Sequence, residues 1–360
     1  MFLTSLALLN FKNHESLKLA FSRKINCIIG QNGIGKTNVL DAIHYACLTK
    51  SYFNAVDQQN ILFEKDFMRL DAEVVIAGEK LEVVCKLPQG KKKEFLLNEV
   101  PYKRMSEHIG KMPVIMITPD DNQLILGGSE ERRKFLDNSI SQIEDKYLNF
   151  LMLYNQNLEQ RNALLKQAAE KNVSADIVLL SHYDAQLELY GNYIYTKRKA
   201  AVAALLELFQ KYYSFISLER EMVSFEYTSQ LHENSFSKLL LDNRNRDKIL
   251  QRTSVGIHKD DLDFKIGENK MRKFGSQGQQ KSFIIALKFA QYDFIKFHKT
   301  YKPFLLIDDI FDKLDKERSN RLMELVSGES FGQIFITDTD EAHILNALES
   351  KQDLFEIKKI

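Results

Sequence analysis

Residues 30–37 read Gly-Gln-Asn-Gly-Ile-Gly-Lys-Thr. An apolar run, Ile25 to Ile29, precedes them and suits a buried strand. Val39, Leu40, Ile43 and Ala46 follow at helical spacing. Strand, glycine loop and helix is the context that a phosphate-binding loop requires. Gly30, Gly33 and Gly35 let the backbone curl round an anion with its N–H groups inward, and the helix N-terminus adds partial positive charge. Gln31, Asn32, Ile34 and Asn38 complete the candidate nucleotide-binding stretch. In this reading Lys36 reaches the β- and γ-phosphates of ATP, and Thr37 holds Mg²⁺ through its hydroxyl.

A chain of 360 residues is long enough for a large core and two domains. Its net charge of +1 restricts any nucleic-acid surface to a local patch. Cys27, Cys47 and Cys85 have no paired ligand spacing, which argues against a zinc site or disulfide framework and fits a reducing compartment. Lys12, His14 and Glu15 break the N-terminal apolar stretch early, so no signal peptide is expected. No apolar run is long enough to span a bilayer. The expected location is cytoplasmic, with no membrane partner.

Met1 to Asn10 reads as an opening strand and Phe11 to Leu17 as a polar turn. Between Met68 and Val100 the apolar period changes to two, which predicts an antiparallel meander; Val114 to Thr118 reads as a buried strand. From about Ser129 to Ser214, glycine and proline almost vanish and helical periods dominate, predicting two long helices joined near Asn172 to Ala175. A strand near Met222 to Tyr227 and a helix near Phe236 to Leu250 follow. After about Thr253 the α/β style returns. The fold class is α/β: a P-loop ATPase head over residues 1–128 and 251–360, with a helical arm inserted over 129–250.

Two further motifs carry chemistry. Phe304 to Ile307 is an apolar strand ending in Asp308 and Asp309. The first acid suits water-mediated Mg²⁺ binding and the second suits orientation of the attacking water, which with Lys36 gives the catalytic set. Gly275-Ser276-Gln277-Gly278-Gln279 opens an apolar-faced helix. Ser276 suits a helix cap, and with Gly278 and Gln279 it also suits a second anion site. The order of glycine loop, serine-glycine motif and acidic strand is similar to that of ATP-binding-cassette ATPases. That resemblance implies that Ser276 of one subunit meets the γ-phosphate of ATP held by another. Lys313-Leu314-Asp315 matches the superfamily's subunit-crossing loop, and Thr337 stands where many members have a switch histidine.

Phe11-Lys12-Asn13, Asn38 to Ile43, Gly127 to Asp137, Gly256 to Leu262, Ser276 to Gln280 and Leu306 to Asp315 together resemble the bacterial RecF family, nearly end to end. Departures are Ile257, Lys259 and Lys281, where the family usually has Pro, Arg and Arg. The resemblance implies a recombination mediator that binds ATP, dimerises around it and hydrolyses it weakly in response to DNA. With RecO and RecR it would act at single-strand gaps and junctions. There it would help RecA replace single-strand-binding protein, in repair, replication restart and the SOS response.

Lys91-Lys92-Lys93, Lys197-Arg198-Lys199 and the group Arg244, Arg246 and Arg252 are candidate phosphate contacts, although for any one of them solvated surface charge is the favoured reading. His258 suits either a nucleotide edge or a structural hydrogen bond. Two other classes compete with the RecF reading. A transporter's nucleotide-binding subunit conflicts with the missing switch histidine and the long insertion. An ATP-binding scaffold leaves Asp309 without a purpose.

Overall fold

The computed structural model describes residues 1–218, 221–309, 316–339 and 355–360. Ile310 to Asp315, including the expected subunit-crossing loop at Lys313-Leu314-Asp315, lie outside them. The chain divides into two compact units: Met1–Asn122 with Lys211–Arg220 and Ser276–Ile360, and Gln123–Gln210 with Glu221–Gly275.

The first unit opens with β1 (Phe2–Phe11) and β2 (His14–Ala20), an antiparallel hairpin whose last register pair is Phe11 and His14. The expected polar turn is thus only Lys12 and Asn13. Lys12 takes the left-handed φ of 51° that lets the chain reverse so tightly. Strand β3 (Ile25–Ile29) and helix α1 (Lys36–Leu48) flank the glycine loop as expected. The meander follows as β4 (Phe67–Ile76), β5 (Glu79–Pro88), β6 (Glu94–Leu97) and β7 (Val100–Pro101), then β8 (Val114–Ile117). Strands β2-β1-β4-β5-β6-β7 form one sheet in that order. Alternate residues of β4, Met68, Leu70, Ala72 and Val74, enter the core, as period two requires.

The second unit begins with α2 (Gln123–Leu126) and α3 (Ser129–Ser141). The expected helix pair is α4 (Asp145–Glu170) and α5 (Ile177–Ser217), separated by a polar link. The last turns of α5 belong to the first unit. Strand β9 (Val223–Thr228) is followed by α6 (Phe236–Asp242) and α7 (Arg244–Leu250), so the single helix expected there breaks at Asn243. Then come β10 (Asp261–Ile266), β11 (Asn269–Lys270) and α8 (Met271–Phe274).

The expected return at residue 251 is corrected by this pairing. Strand β10 lies antiparallel to β9, and Arg132 of α3 forms a two-pronged ion pair with Asp261. Residues 251–275 therefore stay with the second unit, and the chain re-enters the first only at Ser276.

There it forms α9 (Gln277–His298), β12 (Phe304–Asp308), α10 (Lys316–Val326), β13 (Ile334–Asp338) and β14 (Phe355–Lys359). A parallel sheet runs β14-β3-β13-β12-β8. Its central strands are buried throughout, the mark of a sheet covered on both faces. Helix α1 shares one apolar cluster with both sheets: Val39, Leu40 and Ile43 pack with Leu6 and Leu70 and with Leu306 and Phe335. Each such side chain contributes about 1.5–3 kcal/mol on burial. The parallel arrangement sets the site. Its register aligns Asp308 with Thr337 and Thr337 with Ile28, so the carboxyl ends of β12, β13 and β3 emerge at one edge.

Candidate nucleotide site

At that edge is a cleft of about 190 Å³ lined by Asn32, Gly33, Gly35, Lys36, Thr37, Asn38, Asp308, Asp309, Thr337 and Thr339. The glycine loop leaves β3 at Gly30. Gly33 and Gly35 have φ of 83° and 111°, values that L side chains rarely adopt. Gly35 is the N-cap of α1, whose first residues are Lys36, Thr37 and Asn38.

Lys36 is buried, and its ammonium donates to the carbonyls of Gly30 at 2.7 Å and Gln31 at 3.0 Å. The lysine is thereby folded back along the loop with its charge in the cleft wall. Thr37 donates to both carboxylate oxygens of Asp308, at 2.9 and 3.0 Å. Thr337 donates to Asp308 Oδ1 at 2.6 Å and accepts from the Asp309 N–H at 3.2 Å. Burial raises the Asp308 pKa above the usual carboxylate range, opposed by the two threonine hydroxyls. The neighbouring Asp309 also raises it, and Lys36 lowers it. Asp309 is exposed and holds a left-handed φ of 45°, which turns it off the strand toward the cleft.

A hydroxyl and a carboxylate facing each other offer oxygen donors, the chemistry Mg²⁺ prefers; it typically takes one or two protein ligands and completes its shell with water and phosphate. Thr37 and Asp308 therefore fit a magnesium nucleotide. Among the described residues there is no larger His, Cys, Asp and Glu cluster suited to a metal.

Ser276, Gly278 and Gln279 are not in this cleft wall. Ser276 caps α9 in a reciprocal box: its hydroxyl accepts from the Gln279 N–H at 3.3 Å, and Gln279 Oε1 accepts from the Ser276 N–H at 2.8 Å. Ser276 is exposed. Gly278 is steadied by Arg318, which donates to its carbonyl at 3.2 Å and to Ser282 at 2.8 Å.

The β1–β2 turn lies under the loop, a placement sequence reasoning missed. Asn13 Nδ2 donates to the carbonyls of Gly33 at 3.2 Å and Ile34 at 2.9 Å, and Asn13 Oδ1 accepts from Asn38 at 2.7 Å. His14 Nε2 donates to the Gly35 carbonyl at 3.1 Å. Lys12 pairs at 2.6 Å with the buried Asp41 of α1. The motif Phe11-Lys12-Asn13 was the available signal, but only the hairpin's register brings a turn twenty residues upstream against the loop. Thr339 also had no local signature.

The basic clusters divide. Arg198 is buried in the second unit, paired with Asp137 and Asp260 and donating to the Ile257 carbonyl. Lys93 is held by Asp57, and Arg244 by Asp184. These three are structural and are removed from the phosphate-contact candidates. Lys91, Lys92, Lys199, Arg246 and Arg252 are exposed. His258 is structural too: Nε2 donates to the Thr253 carbonyl at 3.2 Å, and Nδ1 accepts from Tyr154 at 2.8 Å. Its pKa is lowered to about 4, chiefly by burial.

The family model described as RecF/RecN/SMC N terminal domain matches residues 2–359. A Flavobacterium johnsoniae protein named DNA replication and repair protein RecF is 44% identical over 357 residues, covering 99% of both chains. The chain belongs to the RecF family. A Bacteroides fragilis RecF is 42% identical over 345 residues, covering 96% of this chain and 92% of its own. A solved structure described as the recombination mediator protein RecF-ATP in the RecFOR pathway superposes with a TM-score of 0.87 at 27% identity, covering 95% and 92% of the two chains. A Pyrococcus furiosus Smc head domain matches at a TM-score of 0.55 and 17% identity, a likeness of fold. The RecF and Smc-head matches agree with the expected ATPase-head fold. No described helix is long and apolar enough to cross a membrane.

Proposed function

We propose that this protein is an ATP-switched, DNA-binding recombination mediator of RecF type. The observation that carries the reading is the split of its chemistry. Lys36, Thr37, Asp308, Asp309 and Thr337 share one cleft, whereas the Ser276 motif faces solvent elsewhere on the same unit. A site so divided is completed by a second copy. Lys36 of one subunit and Ser276 of the other then hold one ATP, and binding drives dimerisation.

In this reading Thr37 and Asp308 would hold Mg²⁺, and the ion when bound would supply neutralisation of phosphate charge. The Gly33 to Asn38 backbone binds phosphate, and Asp309 orients the attacking water. Hydrolysis is slow, stimulated by DNA, and reopens the dimer. The substrate surface is DNA at single-strand gaps and junctions, with RecR and RecO as partners and RecA loading in place of single-strand-binding protein as the outcome. Family membership and the RecF-ATP likeness support this assignment over a transporter subunit or a scaffold. The head holds residues 1–122 and 276–360, and the arm most of the remainder.

The test is binding to gapped against blunt duplex, with and without Mg-ATP, over a salt series. ATP-dependent preference for the gap with a steep salt slope is expected. Binding that ignores ATP refutes the switch. Within the same assay Lys36→Ala should abolish stable nucleotide binding.

A further inference from the structure

Three consecutive carbonyls of the glycine loop, those of Gly33, Ile34 and Gly35, are each held by a side chain of the β1–β2 turn. In a trans peptide the carbonyl of one residue points opposite to the N–H of the next. Fixing these carbonyls toward the turn therefore fixes the N–H groups of Ile34, Gly35 and Lys36 in the reverse sense. The Ile34 N–H closes a long 3.4 Å turn contact to Gln31. Those of Gly35 and Lys36 are left directed away from the turn, and neither Asn13 nor His14 belongs to the cleft wall while Gly35 and Lys36 do.

We infer that Asn13 and His14 are positioning residues that aim the loop's N–H groups at the diphosphate of a bound nucleotide. Two further facts support this. A Cβ on Gly35 would fall 2.5 Å from Asn13 Oδ1 and against the His14 ring, so the glycine is required by the clamp as well as by its φ of 111°. The Gly35 carbonyl also receives the first helical bond of α1, from the Val39 N–H at 3.1 Å. His14 thus holds the peptide at which loop becomes helix. Asn38 in turn orients the Asn13 amide, by donating to its oxygen and so presenting its nitrogen to the loop.

The clamp makes no contact with the nucleotide. It acts by preorganisation: a loop already shaped for phosphate loses less entropy on binding. The effect must be equal for ADP and ATP, since the γ-phosphate is not involved, and absent for adenosine.

This inference rests on the nucleotide-binding reading above. The decisive substitution is Asn13→Asp, which keeps shape and the acceptor for Asn38 but turns an oxygen toward two carbonyls. His14→Ala removes the second donor, and His14→Gln restores an N–H donor. Fluorescent ADP and ATP titrations of the full chain, with unliganded melting temperatures, read the result. Asn13→Asp should weaken ADP and ATP alike by about tenfold or more, and His14→Ala by about threefold to tenfold. His14→Gln should recover most of the affinity, with the unliganded melting temperature near that of the parent. Parental affinity in Asn13→Asp overturns the clamp, as does failure of His14→Gln to rescue. Lys36→Ala is the control: if it too binds normally, the nucleotide site itself is misassigned; if it alone fails to bind, only the clamp is wrong.

Discussion

Thr337 donates its hydroxyl proton to Asp308 Oδ1 at 2.6 Å. The threonine's own Oγ1 in turn accepts from the Asp309 N–H at 3.2 Å, so one threonine ties the buried acid of β12 to the backbone of the exposed acid that follows it. By the cassette-ATPase resemblance read from the sequence, a switch histidine would be expected at this place. A threonine cannot carry charge, but it can fix the Asp308 carboxylate relative to the Asp309 backbone. Thr337→Val keeps the shape and loses both bonds. It should leave nucleotide affinity within about threefold and lower turnover by about tenfold or more, while Thr337→Ser retains most of the rate. Single-turnover hydrolysis alongside nucleotide titration checks both; a Val variant with parental turnover removes Thr337 from the mechanism.

Asp309 stands at the cleft's open side, turned there by its left-handed backbone. Asp309→Asn keeps size and hydrogen bonding but loses the base. ATP should then bind and not be consumed, and the ATP-bound dimer should accumulate. Sedimentation with Mg-ATP that finds only monomer would count against Asp309 as the hydrolytic residue.

Ser276 has two separable jobs in the proposed scheme, and its capping box provides the means to separate them. Ser276→Ala costs about 1 kcal/mol of helix stability, whereas glycine at an N-cap costs only a few tenths. Ser276→Gly should therefore nearly preserve stability and monomer binding of ATP, yet block ATP-driven dimerisation. Light scattering with and without Mg-ATP measures this. Loss of monomer binding instead would mean that Ser276 acts within its own subunit.

Much of this site could be read before the fold was seen, and the reason is local. Gly33, Gly35, Lys36 and Thr37 belong to one loop whose chemistry is written in consecutive residues, and Asp308 and Asp309 end an unmistakably apolar strand. The β4–β5 meander and the α4–α5 pair announced themselves by period. What the sequence concealed depends on residues far apart in the chain. His14 and Asn13 matter only because the hairpin packs under a loop twenty residues later. Strand β10 joins the second unit because β9 pairs with it, and its own composition is equally at home in either unit. Arg198 looked like one more exposed cation between Lys197 and Lys199; its helix turns it alone into the interior.

That burial makes Arg198 a stability residue. It bridges Asp137 and Asp260 with almost no exposure. Removing one partner of a buried pair leaves an uncompensated charge and costs about 3–5 kcal/mol. Arg198→Ala should lower the stability of the second unit by that order, while the exposed Lys199→Ala stays within about 0.5 kcal/mol. Urea unfolding of both variants tests it; equal, small effects would place Arg198 at the surface.

His108 is one of three described histidines, with His44 and His258, whose burial depresses the pKa to about 4 and makes stability acid-sensitive; a single substitution isolates its share. It is fully buried, with Nε2 donating to the Ala46 carbonyl at 2.8 Å and Nδ1 accepting from Tyr102 at 3.0 Å. Burial lowers its pKa to about 4 from the ordinary 6.5. A histidine depressed in the folded state takes up its proton more readily when unfolded. Between pH 6.5 and about 4 the unfolded chain therefore holds more protons, and stability falls as pH falls. The slope from this group is up to about 1.4 kcal/mol per pH unit within that window and vanishes above it. His108→Gln can still donate to Ala46 but cannot titrate. Thermal unfolding from pH 7.5 to 5 should show a shallower decline for His108→Gln than for the parent, even if the variant is less stable at pH 7.5. Parallel pH profiles would mean that His108 is protonated as easily folded as unfolded, and would contradict its burial.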